Sequence, residues 1–83
     1  MTAVTESKAV YGRKLVHQAN QIGKFFAHQS QPEAVASIAD HLRKFWDPRM
    51  RAEILTHLAN GGEGLDPLPR QAIETIAAET PIP

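Results

Sequence analysis

Residues 44–51 read "KFWDPRMR", and the fold turns on where that stretch is divided. Proline disfavours a helical conformation at the residue before it, so a helix running through Phe45 and Trp46 has to stop ahead of Pro48. Asp47 is a good N-cap, and Pro48 suits the first position of a new helix. The stretch is therefore a corner between two helices, with its aromatics on the first and its arginines on the second. Arg49 and Arg51 fall in or near the first turn of that second helix, where the helix dipole disfavours positive charge by ~0.3–1 kcal/mol each. Two readings follow. Asp47 offsets part of that cost by pairing with Arg51, or one or both arginines reach carboxylates on a partner, to which a guanidinium can bond bidentately.

Upstream of the corner, Ser30-Gln31-Pro32-Glu33 is a capping-box pattern with proline in the first turn. Val35, Ile38, Ala39, Leu42, Phe45 and Trp46 then build one broad apolar face. Further upstream, from about Gly12 to His28, Leu15, Ala19, Ile22 and Phe26 recur at helical spacing, with Phe25 on the flank. Gly23 costs this helix about 1 kcal/mol relative to Ala. It either permits close approach of another helix or is tolerated without purpose. Downstream, Met50, Ile54, Leu55 and Leu58 form the arc of a third helix, which Asn60-Gly61-Gly62 ends. Asp66-Pro67 repeats the opening device and starts a fourth helix carrying Leu68, Ala72, Ile73 and Ile76.

Asp47, Pro48, Arg51, Ile54 and Ala59 match Asp66, Pro67, Arg70, Ile73 and Ala78 at a spacing of 19 residues. Two copies are too few for a solenoid, and shared helix-start chemistry accounts for the repeated Asp-Pro. No stretch reads as a strand. The expected fold is all-α, a small bundle of about four short helices with antiparallel neighbours. Residues 1–11 lack periodicity and read as a mobile arm, 12–79 as a single helical domain, and 80–83 as a frayed tail.

Composition narrows the class. A chain of 83 residues buries a smaller share of its surface than a typical domain, so its own stability is modest and a partner can supply what is missing. Cysteine is absent, which removes disulfides, thiolate-ligated zinc, iron–sulfur clusters and cysteine nucleophiles. No apolar run approaches the ~20 residues needed to span a bilayer, and the first residues have no apolar core fit for a secretory signal. A cytoplasmic location is expected. Net charge is zero but runs in a gradient, from +3 over residues 1–31 through 0 over 32–58 to −3 over 59–83. Such polarity can orient a partner or draw the two ends of the chain together.

Chemistry is hard to place on these residues. His17, His28, His41 and His57 include no pair at the i,i+4 spacing of a helical zinc motif. Ser7, Ser30 and Ser37 lie in no nucleophile motif, and "NGGEGLDP" at 60–67 is a helix stop followed by a helix start, not a phosphate loop. No catalytic activity of its own, no catalytic residue, no bound cofactor and no metal ligand are expected. Helices two and three could imitate a helix-turn-helix, with Arg43, Lys44, Arg49 and Arg51 at the junction. However, Asp40, Asp47 and Glu53 are interspersed, and the domain is not basic. A protein-interaction module is the class left standing. Phe25, Trp46, Arg49 and Arg51 are its interface candidates, because aromatics and arginine are enriched at binding hot spots. For any single aromatic, the competing reading is a place in the domain's own core.

"ANQIGKFF" at 19–26, "IADHLRKFWDPRMR" at 38–51 and "HLANGGEGLDPL" at 57–68 resemble the delta subunit of soluble NAD-dependent formate dehydrogenase. The resemblance covers roughly residues 15–78, and "KFWDPRMR" is its most distinctive block. It implies a complex whose catalytic alpha subunit holds bis-molybdopterin guanine dinucleotide with molybdenum or tungsten. It also implies iron–sulfur clusters and FMN in associated subunits. In such a complex this chain would be an accessory subunit that stabilises or helps mature the catalytic one, with no membrane or nucleic-acid partner. The alternative is a free-standing helical regulatory or nucleic-acid-binding module.

Overall fold

The computed structural model describes residues 3–79, with side chains from Tyr11 onward. Four helices follow one another: α1 (Ala3–Phe26), α2 (Gln31–Phe45), α3 (Pro48–Ala59) and α4 (Pro67–Glu79). No strand occurs among the described residues. The all-α reading holds, and the helix boundaries fall where cap chemistry places them.

Ser30 caps α2, accepting from the Glu33 amide at 3.4 Å. Its own hydroxyl donates to the Glu33 carboxylate at 3.1 Å, so the expected box closes through the hydroxyl. Asp47 caps α3, with Oδ1 accepting from the Met50 amide at 2.9 Å. At the far end of α3, Gly61 donates to the Leu58 carbonyl and Gly62 to that of His57. This is the paired Schellman closure, and Gly61 (φ 113°) is the left-handed residue it requires.

One boundary differs from expectation. The backbone of α1 is helical from Ala3, ahead of the start read at Gly12. Residues 3–11 contain helix formers and no Gly or Pro, and extending an existing helix avoids the cost of nucleating a new one. An amphipathic stripe is not required for that. The tail expected to fray, 80–83, lies outside the described residues, as do Met1 and Thr2.

The core gathers Leu15 and Ala19 of α1, Ile38, Ala39 and Leu42 of α2, Ile54 of α3, and Ala72, Ile73 and Ile76 of α4. Trp46 and Leu65 complete it from the connections. The pairing of α2 with α4 is the most extensive, although the two are separated in sequence by all of α3. Arg43 of α2 reinforces that pair by forking onto the Glu79 carboxylate at 3.0 and 2.7 Å. On the other side, Asn20 of α1 splints the loop before α4. Its amide nitrogen donates to the Gly64 carbonyl and its amide oxygen accepts from the Asp66 amide, both at 2.9 Å.

The apolar face read for α2 needs one correction. Its buried arc runs through Ala34, Ile38, Leu42 and Trp46, and Phe45 falls on the edge of that arc, 71% exposed. Helical periodicity placed Phe45 within reach of the core, but Trp46, one residue on, takes the buried position.

Candidate docking surface

Among the residues whose side chains are described, Phe25 and Phe45 are the exposed large hydrophobic ones, 72% and 71% accessible. They stand at the ends of one continuous strip. The rings of Phe25 and Phe26 meet edge-on at 5.0 Å and 87°. Phe26 approaches His41 at 6.4 Å, and His41 lies tilted on Phe45 at 4.8 Å and 41°. The last turn of α1 and the last turns of α2 thus share an aromatic surface, anchored by half-buried Phe26 and His41. Burying a phenylalanine side chain is worth about 1.5–3 kcal/mol. Two such residues left in water are unused binding energy, and a contiguous apolar patch of this kind marks interaction sites. Charged residues border the strip: Lys24 precedes Phe25, and Lys44, paired with Asp40 at 3.0 Å, precedes Phe45.

The four interface candidates read from sequence separate into two pairs. Phe25 lies on the strip. Arg49 is exposed, its guanidinium 5.9 Å from the centre of the Tyr11 ring. The other two turn into the chain. Trp46 is only 5% exposed and belongs to the core cluster that includes Leu42 and Ile54.

Arg51 does not pair with Asp47, whose carboxylate is occupied by the Met50 amide. It donates instead to the carbonyls of Trp46 and of Arg43, the latter at 3.2 Å, with that of Leu42 at 3.5 Å. The local pairing of Arg51 with Asp47 is therefore not the one the structure shows. Arg51 stands near the positive end of α3, but its charge is delivered to the negative end of α2. Arg70 does the same one corner later, donating to the Gly61 and Gly62 carbonyls at 3.0 and 2.9 Å. Both arginines reach carbonyls nine and eight residues earlier in the chain. The 19-residue echo is thus more than a repeated helix start: it is a repeated corner clamp.

Among the described residues, no group of three or more His, Asp or Glu side chains is placed to hold a metal ion. No helix there is long and apolar enough to cross a membrane. The geometry defines a small helical protein, with caps and clamps fixing its fold and an aromatic strip facing outward. A family model, that of the NADH-dependent formate dehydrogenase delta subunit FdsD, matches residues 14–73. The chain belongs to that family. No curated protein and no solved structure matches it.

Proposed function

We propose that this chain is a non-catalytic accessory subunit that docks on the catalytic alpha subunit of the formate dehydrogenase through the aromatic strip, and that docking stabilises or helps mature that subunit. The observation that carries the reading is the exposure of Phe25 and Phe45 at the two ends of one set of touching rings. Water is a poor environment for such a surface, whereas the centre of a protein interface is a good one. On this reading the cofactors belong elsewhere in the complex: bis-molybdopterin guanine dinucleotide with molybdenum or tungsten in the partner, and iron–sulfur clusters and FMN in the electron-transfer subunits.

The test is co-expression of tagged full-length chain with the other subunits, comparing wild type with Phe25→Ser/Phe45→Ser. The variant is expected to keep its helical circular dichroism, to lose most of the captured catalytic subunit, and to yield a complex with lower metal content and formate oxidation. Undiminished capture by the folded variant would refute docking through this strip.

A further inference from the structure

The basic residues of this chain are used unequally. Arg43, Lys44, Arg51 and Arg70 are all committed to carboxylates or carbonyls. Arg13, Lys14 and Lys24 of α1 make no hydrogen bond or ion pair among the described residues. Arg13 and His17 share one stripe of the helix by their spacing with Asn20, the residue bonded to the Gly64–Asp66 loop. That stripe therefore borders the loop joining α3 to α4.

Between them lies a groove of about 530 Å³, lined by Arg13, His17 and Asn20 on one side and His57 and Glu63 on the other. A second depression of about 270 Å³ adjoins Arg13, Lys14 and His17. The groove walls are fixed. Asn20 is bonded at both ends of its amide, and His57 donates from Nε2 to the Glu63 carbonyl at 2.7 Å. Glu63 brings the one carboxylate to the lining.

We propose that this groove receives an acidic segment of the catalytic subunit, a second contact distinct from the aromatic strip. The proposal rests on the docking reading above and assigns the two surfaces different work. Unpaired cations on one flank steer an acidic partner and set its orientation, which acts mainly on the rate of encounter. The buried aromatics govern how long the complex lasts. A short acidic peptide segment suits the groove better than a nucleic-acid backbone does, because the chain as a whole has zero net charge and no extended basic face.

Tagged full-length chain is co-expressed with the other subunits, and retained catalytic subunit is measured across a salt series. Wild-type retention should fall as salt rises. Arg13→Glu/Lys14→Glu, both at exposed positions beside the groove, should retain about tenfold less at low salt and converge on wild type at high salt. Glu63→Gln should retain more than wild type at low salt. Circular dichroism should be unchanged in both variants. Equal retention by the charge-reversal variant at every salt concentration would overturn the groove proposal. So would nuclease-sensitive nucleic acid on wild type that the charge-reversal variant loses. If charge reversal has no effect while Phe25→Ser/Phe45→Ser abolishes capture, only the groove fails. If the phenylalanine variant also captures normally, the docking reading fails with it.

Discussion

Gly23 of α1 lies against Pro69 of α4 so closely that a Cβ on Gly23 would stand 2.8 Å from Pro69 Cδ and 3.3 Å from Cγ. The proline ring is rigid and fully buried, so the clash cannot be relieved by turning a side chain. Of the two readings open for this glycine in the sequence, close approach is the one the structure bears out.

Gly23→Ala should therefore destabilise the chain, although alanine is the better helix former. The helical gain is about 1 kcal/mol, and forcing extra volume into a packed site costs about 1–3 kcal/mol. A net loss of about 1 kcal/mol is expected, which is roughly 4–8 °C in melting temperature for a domain of this size. Gly12 provides the control, since nothing lies within 4 Å of a Cβ built there. Gly12→Ala should raise the melting temperature. A stabilised Gly23→Ala would show that the two helices are free to separate.

Trp46→Ala should cost about 3–5 kcal/mol, as expected for a large buried aromatic. Stability of roughly 0.05–0.15 kcal/mol per residue leaves little margin for such a loss. The variant should show greatly reduced helical circular dichroism at 37 °C. Phe45→Ala, one residue away but exposed, should change stability by less than about 0.5 kcal/mol. Equal effects at the two positions would contradict the division of labour between core and surface.

Arg51→Met and Arg70→Met should each cost about 1–2 kcal/mol, because each removes charge-assisted hydrogen bonds from carbonyls at a helix corner. Lysine should restore only part of the loss, lacking the planar fork. The clamps serve separate corners, so the double variant should be additive to within about 0.5 kcal/mol. Arg49→Met provides the contrast: with only the contact to Tyr11, it should lose less than about 1 kcal/mol. Denaturant titration of these variants checks the ranking.

The contrast between the corners and the surface shows what was legible in the sequence. Caps are local chemistry: Ser30, Asp47 and Gly61 declare helix ends within a few residues of themselves, and each was found where it was expected. The aromatic strip was half legible. Phe25 stood out as a flank residue, but the exposure of Phe45 depends on which arc of α2 faces α4, and periodicity fixes that only to within a neighbouring residue. The carbonyl partners of Arg51 were not legible because they lie in the preceding helix and at its end, and their proximity is a property of the corner angle. Asn20, which ties α1 to the loop before α4, carried no signal at all. Its partners are 44 and 46 residues away.

Those separations also order the molecule in time. The corners at Arg51 and Arg70 close through bonds spanning less than ten residues, so α2, α3 and α4 can acquire their mutual directions early and cheaply. Contacts of α1 with the loop and with Pro69 must wait for loop closure over half the chain. Phe25 and Phe45 come to share one surface by a shorter route, once α1 packs on α2 and Phe26 meets His41. A partner that needs both rings at once would therefore distinguish a chain whose first two helices have paired from one in which they have not.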